Sequence, residues 1–562
     1  AALGLDSALR GSLSPKEMVV LERSLATFDY LAERGRFFRN EQGELFYAGE
    51  KRGAMRMSSG QGPFLAYLAN LSPVINQAST AGRFIIQHVM NNAAASSTKT
   101  RTGTWTLYDG HAVYVAKTAN KILKLERGAE STLPNAINDD NILLELPAPE
   151  MAFKFDRAAS MARGLGLLWD RVAANIAAAD EDRYMVLCWM LGLFMREYVR
   201  PKPLMRLLAR TAWGKTTAVK LLSLLVYGKE MLNHSATTNA ASYEMASRFP
   251  LLLFDNIETR NMTDNLEDFM LIVATGGLKA KRKLATDTGL IVEHTNCLLM
   301  SNGIEPFKKH ELTSRTLEVE MDVSRYGRRR FNEVKAFKAV LSARSYMLSA
   351  VAKMLRRHVL PKVCDGAASR LAQEFGAHAK ERFNEYLGLM AVMLRALWGY
   401  VPHAGYRHPD DMVRAWLARQ SVAAKTQDSG TNDVLYFLET FAERRGQLVE
   451  ARTMVARADG GAVTMRTTTR DLLSDFRILA RHLGIRCPWD NERQLGTRLA
   501  DADEVLAAAG WRRTYHMVTG RRVYTYARAK DREGADGKDR RKAKGQAAGT
   551  GRRGRRRVKA KP

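Results

Sequence analysis

The chain has 562 residues, enough for three to five domains with several cores, so a small binding module is excluded. Lysine and arginine number 87 against 59 acids, a formal charge of +28, which makes a polyanion the expected partner: nucleic acid first, an anionic membrane second. The longest strongly apolar run, MVLCWMLGLFM at 185–195, is about half a bilayer span and reads as a buried helix; Cys188, Cys297, Cys364 and Cys487 form no CxxC pair, which argues against a zinc site or a disulfide framework and fits a reducing cytoplasm.

The opening residues, AALGLDSALRGSLSP, lack the basic and apolar blocks of a signal peptide, and without an initiator Met a processed or truncated chain is the expectation. Residues 1–102 read as a helical region around a hairpin in RFFRNEQGELFYAG. Residues 103–158 alternate polar and apolar with a turn signal at Asp109-Gly110, as a small β module does. From 159 to 330, apolar strands alternate with amphipathic helices, the pattern of an α/β ATPase core. Residues 331–426 read as a helical lid or linker and 427–528 as mixed. Residues 529–562 form a basic tail expected to be disordered, with 14 Lys or Arg against 4 acids from 530 onward. No internal repeat is visible, and the expected fold class is multidomain α/β.

The chemistry centres on LLARTAWGKTTAVKLLSLL, residues 207–225. A phosphate-binding loop turns backbone N–H groups inward at a helix start, a Lys reaches the β and γ phosphates, and a Ser or Thr hydroxyl holds Mg²⁺. Gly214, Lys215, Thr216 and Thr217 supply the end of such a loop. Ala209 stands where its first glycine is expected, and Ala212 replaces another. If those positions need positive φ, each alanine costs about 1–2 kcal/mol, which predicts a strained loop. GKTT alone is a weak signal that chance can produce. Downstream, FPLLLFDNIE ends a buried-strand run at Asp255, where an acid would help hold Mg²⁺ with Thr216; HTNCLLMSNG ends at Asn302, and LTSRTLEVEMD puts Arg315 before another strand. Each has an ordinary reading as a turn residue or a solvated arginine. The order Lys, Asp, Asn, Arg is harder to assign to chance.

The block from PKPLMRLLARTAWGKTT through LLLFDNIE, ATGGLKAKRKLATDTG, LLMSNG and LTSRTLEVEMD resembles the AAA+ motor of superfamily 3 replicative helicases, specifically the primase-helicases of phages, plasmids and integrated elements. The resemblance implies a ring, usually a hexamer, that closes around DNA and translocates with ATP and Mg²⁺. It implies Lys215 and Thr216 as the phosphate-loop pair, Asp255 as the Mg²⁺ acid, Asn302 as the γ-phosphate sensor and Arg315 as a finger reaching a neighbour's ATP. Asn256 departs from the pattern, because such motors often place there an acid that polarises the attacking water, and Asn cannot accept a proton. Glu258 would share its face in an extended strand and is either the substitute base or an ordinary surface acid. KAKRKLATDTGLIVEH reads as a basic strand, a turn over Thr286 to Gly289 and a return strand. The resemblance makes it a channel hairpin, with Lys279, Lys281, Arg282 and Lys283 on phosphates. A solvated basic edge strand is the alternative.

TTTRDLLSDFRILARHLG and DNERQLGTRLADADEVLAAAGW read as two helices with polar N-caps, followed by WRRTYHMVTGRRVYTYAR, a hairpin turning at Thr519-Gly520. This looks like a winged helix. Gln494, Thr497 and Arg498 are the candidate base readers, and Arg512, Arg513, Arg521 and Arg522 the phosphate contacts; protein docking is the alternative use. The expected function is ATP-driven unwinding or translocation on single-stranded or forked DNA during replication of a mobile element. The expected state is a homo-oligomer in the cytoplasm, nucleoid-associated, with a primase or other replication proteins as further partners and no membrane association. No primase constellation is evident. A non-motor, nucleotide-binding initiator or scaffold and an AAA+ remodeller of protein partners are the competing classes.

Overall fold

The computed structural model describes residues 13–49, 53–58, 62–210, 213–234, 239–258, 262–282, 290–307, 309–323, 331–376, 383–401, 405–426, 429–448, 450–457, 463–483, 487, 489–518 and 521–528. Two compact units divide the chain, Ala1–Asp428 and Ser429–Pro562. The basic tail lies outside the described residues.

In the first unit, the helix Pro15–Arg34 starts at a capping box in which Ser14 and Glu17 satisfy each other's backbone N–H groups. Strands β1 (Gly35–Arg39), β2 (Leu45–Gly49), β3 (Gly53–Met57) and β4 (Thr98–Lys99) form a sheet in the order β3-β2-β1-β4. RFFRNEQGELFYAG supplies its β1–β2 hairpin. A six-stranded sheet follows, from β5 (Arg101–Thr104), β6 (Thr106–Tyr108), β7 (Val113–Thr118), β8 (Lys121–Leu125), β9 (Glu130–Pro134) and β10 (Ile142–Glu145). The apolar run at 185–195 forms the end of the helix Asp180–Leu191 and a 3-10 turn, Gly192–Met195. It is apolar on every side and buried on every side.

The central sheet is built from β11 (Leu204–Leu208), β12 (Asn233–His234), β13 (Leu251–Asp255), β16 (Leu298–Gly303) and β17 (Thr316–Glu320), all parallel, in the order β12-β13-β16-β11-β17. Between β13 and β16 in the chain lies a separate antiparallel pair, β14 (Leu278–Arg282) and β15 (Leu290–His294). Both faces of the central sheet are covered, which is why its strands read as continuous apolar runs. Met205, Leu207, Leu253, Met300 and Val319 join one core with the helix Lys215–Tyr227. Leu252, Phe254 and Leu299 join another with Phe269 and Met270 of the helix Asp264–Thr275.

The described residues from 331 to 426 are mostly helical, beginning with Glu333–Met354. Its buried Arg344 donates to the carbonyls of Leu225 and Val226, in the last turn of the Lys215–Tyr227 helix, and of Met151 and Ala152. A cation at a helix C-terminus meets carbonyls that have no partner inside the helix. Arg344 therefore anchors the far end of the helix whose first turn carries Lys215.

The second unit contains β18 (Met454–Arg457), β19 (Val463–Thr467), β20 (Trp511–Val518) and β21 (Arg521–Arg528), in the order β18-β19-β21-β20. Its helices are Ser429–Arg444, Thr469–Leu483, Glu492–Asp501 and Asp503–Ala508. The stretch from 490 to 511, expected as one helix, is two. It breaks at Ala502 between Asp501 and Asp503, both weak helix formers. Val518 pairs with Arg521 across the hairpin; Thr519 and Gly520 lie outside the described residues.

Candidate nucleotide site and nucleic-acid surfaces

The chain leaves β11 at Leu208, and Ala209 adds one more backbone bond to the neighbouring strand, its N–H donating to Gly303 at 3.2 Å. The Lys215–Tyr227 helix starts after Gly214, whose φ of 79° is left-handed and suits glycine. Lys215 is buried, and its Nζ donates to the carbonyls of Ala209 at 2.6 Å and Arg210 at 3.2 Å. Burial lowers its pKa, while the negative charges of Glu258 and then Asp255 raise it. Thr217 is half-buried in the same first turn. The strain expected at Ala209 is absent, because its φ is not positive and its backbone continues the strand pairing. Ala212 lies outside the described residues.

The strand order sets β16 between β11 and β13, and the registers Leu207↔Asn302 and Phe254↔Ser301 bring Asp255 alongside Asn302. Thr216 Oγ1 donates to Asp255 Oδ1 at 2.9 Å, and Asn302 Nδ2 donates to the same oxygen at 2.6 Å. Asn302 is fully buried, and its Oδ1 accepts from the Asn256 backbone N–H at 2.6 Å. Thr216 and Asn302, far apart in sequence, are thus tied to one carboxylate, that of Asp255. The sequence expectation that an extended strand carries Glu258 along the face of Asn256 is not met. β13 ends at Asp255, and Asn256 turns the chain with φ 57°. Asparagine is among the few non-glycine residues that tolerate that backbone, a structural reason for it at a position where an acid was expected.

Sequence reasoning missed Arg206. This fully buried side chain of β11 donates to the carbonyls of Ile257 at 3.1 Å and Glu305 at 2.6 Å, and lies 4.0 Å over the Phe307 ring. It fixes the chain after Asp255 and the chain after Asn302 to the strand that carries the loop. Burial pushes its pKa down to about 10, opposed by Glu318, Glu258 and Glu305. The available signal was an arginine inside the apolar strand LMRLL, since a buried charge needs partners. Gly303 is part of the same joint. A Cβ there would lie 2.4 Å from Arg206 Nη2 and 2.7 Å from the Ile257 carbonyl.

Arg315 is not brought to this cluster. It precedes β17, whose register with β11 starts at Leu204↔Thr316, so it sits at the amino edge of the sheet. The loop leaves the carboxyl edge, about 16 Å away at the rise of a β-strand. Arg315 Nη2 pairs with Glu311 at 2.9 Å, and Nη1 donates to the Leu271 carbonyl at 3.4 Å.

The expected basic hairpin is the β14–β15 pair, with Lys279 opposite Glu293 and Lys281 opposite Ile291. The side chains of Lys279, Lys281 and Arg282, all of Lys283 and the turn from Thr286 to Gly289 lie outside the described residues. In the second unit, Gln494 and Thr497 are exposed on the Glu492–Asp501 helix, opposite buried Leu495 and Leu499. Arg498, half-buried, lies 3.8 Å from Asp501. Arg512 is exposed. Arg513 is not a free phosphate contact, because it pairs with Asp503 at 2.6 Å and packs over Tyr524. Arg522 packs over Tyr515, and the Arg521 side chain lies outside the described residues.

The donors fit the group the loop was expected to hold. A helix N-terminus and an ammonium suit phosphate, and the hydroxyl and carboxylate oxygens of Thr216 and Asp255 suit Mg²⁺. Among the described residues no cluster of His, Cys, Asp and Glu could hold a metal by itself, and no helix is long and apolar enough to cross a membrane.

Fold and site define a mixed α/β multidomain protein whose parallel sheet carries a lysine-bearing loop-to-helix junction at its carboxyl edge. No protein-family model matches the chain, and no curated protein matches it. It is similar to the solved SCCmec type IV Cch active helicase, with 12% identity and a TM-score of 0.47, over 88% of this chain and 92% of that one. It is also similar to the apo NrS-1 C-terminal region, with 11% identity and a TM-score of 0.38, over 88% and 96%.

Proposed function

We propose that this chain is an ATP-dependent DNA helicase or translocase of superfamily 3 type, working as an oligomeric ring in replication of a mobile element. The observation that carries the reading is the meeting of Thr216, Asp255 and Asn302 beside Lys215, at the carboxyl ends of adjacent parallel strands, where open α/β sheets bind ligands. Bound MgATP supplies the phosphoanhydride whose hydrolysis drives movement. Lys215 would exchange its loop carbonyls for phosphate oxygens, and Thr216 with Asp255 would hold Mg²⁺. Asn302 would orient the carboxylate, and Glu258 would accept the proton of the attacking water. Arg315 lies too far from its own loop to serve it, which supports a site completed by a neighbour. The net charge of +28 suits a DNA partner.

Asn256 favours a second reading, a nucleotide-binding DNA protein without turnover. ATP hydrolysis with and without single-stranded DNA, for wild type beside Lys215→Ala, separates the two. Stimulated turnover lost in the variant supports the motor, and nucleotide binding with no turnover supports the second reading. Failure to unwind a forked DNA despite turnover points to a remodeller of proteins.

A further inference from the structure

The hairpin of the second unit carries a face that its core does not use up. Along β20 and β21 one face presents Trp511, Arg513, Tyr515 and Met517 opposite Arg528, Tyr526, Tyr524 and Arg522. At its base Trp511 and Tyr526 are buried in the core with Met465. Toward the tip the cover ends: Tyr524 is half-buried, while Tyr515 and Met517 are 59% and 60% exposed. The tyrosine rings form a continuous series, Tyr526 to Tyr524 at 6.5 Å and Tyr524 to Tyr515 at 6.0 Å. Arg513 lies over Tyr524 and Arg522 over Tyr515.

We propose that the Tyr515–Met517–Tyr524 face of this hairpin is a stacking platform for the unpaired bases of single-stranded nucleic acid. The proposal rests on the nucleic-acid reading of the chain and changes the hairpin's role from holding duplex phosphates to holding bases. A duplex hides its base faces, whereas a single strand offers them to exposed aromatic rings, and a basic surround tracks the backbone. The hairpin is itself basic: Trp511 to Arg528 contains five arginines and no carboxylate, and with Arg513 paired to Asp503 and Arg528 to Glu439, the excess positive charge comes from Arg512, Arg521 and Arg522. That charge favours a polyanion over an apolar protein partner. Two of these arginines lie over tyrosine rings, Arg513 at 5.4 Å from the Tyr524 centroid and Arg522 at 5.3 Å from that of Tyr515, and such cation–π contacts extend the platform.

The test measures binding of the full chain by fluorescence anisotropy to three labelled probes of equal length: oligo-dT, an abasic strand and a blunt duplex. Tyr515→Ala is expected to weaken oligo-dT binding by about 5- to 150-fold, the effect of losing one stacked base, while abasic and duplex binding are unchanged. Tyr515→Phe is expected to retain wild-type affinity, and Met517→Ser to repeat the selective loss. Equal loss on all three probes would overturn the platform in favour of a backbone role. No loss on any probe that the wild type binds would overturn it in favour of protein docking. A wild type that binds none of the probes sinks the nucleic-acid reading itself.

Discussion

Asn302 donates through Nδ2 to the same Asp255 oxygen that accepts the Thr216 hydroxyl, and through its own Oδ1 it holds the backbone N–H of Asn256. One buried amide therefore sets both the carboxylate and the turn that follows it. Asn302→Ala removes a hydrogen bond to a charged group and one to the backbone, and leaves the Asn256 N–H without its acceptor. The expected loss is about 2–4 kcal/mol of stability in the first unit, together with loss of ATP turnover, measured by chemical denaturation and phosphate release. A variant as stable as wild type would mean that the Asp255 turn holds itself.

The left-handed Asn256 separates a backbone requirement from a chemical one. Asn256→Asp keeps a residue that tolerates φ 57° and adds a carboxylate, so turnover should rise, whereas Asn256→Val should cost about 1–2 kcal/mol through strain alone. Glu258→Gln should retain nucleotide binding and lose about 10²- to 10⁴-fold in turnover if Glu258 is the base. Rescue of Glu258→Gln by Asn256→Asp would show that either position can carry that acid. Full activity of Glu258→Gln alone would leave it a surface acid that happens to face Lys215.

Arg315 sits at the amino edge of the sheet, held by Glu311 and the Leu271 carbonyl. If it completes a neighbour's site, Arg315→Ala should bind ATP normally and lose about 10³- to 10⁵-fold in turnover. Lys215→Ala should lose nucleotide affinity as well. A mixture of the two variants places an intact Lys215 site against an intact Arg315, and activity should return. Mixed oligomers that remain inactive would assign Arg315 to the end of the Asp264–Thr275 helix as a structural cation.

Lys202, buried just before β11, donates to the Arg200 carbonyl, and burial pushes its pKa down to about 8. Between about pH 8 and 10.5 the unfolded chain keeps this proton and the folded chain releases it, so folding stability gains as pH rises through that window and the gain is absent below it. At 1.36 kcal/mol per pKa unit the full effect is about 3 kcal/mol. Lys202→Met should remove it, and the stability gap between variant and wild type should narrow from pH 7.5 to 9.5 in thermal melts, where about 1–2 kcal/mol of the change falls. A gap independent of pH would show that Lys202 keeps its charge throughout.

The local parts are legible in short windows of residues. Apolar runs such as LLLFD and LLMSNG announce strands covered on both faces, and WGKTT announces a helix start with a free anion-binding end, because burial periodicity and helix-terminal chemistry act over a few neighbouring residues. Tertiary structure alone decided what those parts meet. The pairing order that sets β16 between β11 and β13 puts Asn302 on Asp255, and the turn at Asn256 redirects Glu258. Arg206 finds its partners 51 and 99 residues away, and Arg344 finds the loop helix 118 and 119 residues away. None of these contacts has a local signature, since strand order and the satisfaction of buried charges are settled only when distant segments are desolvated against one another.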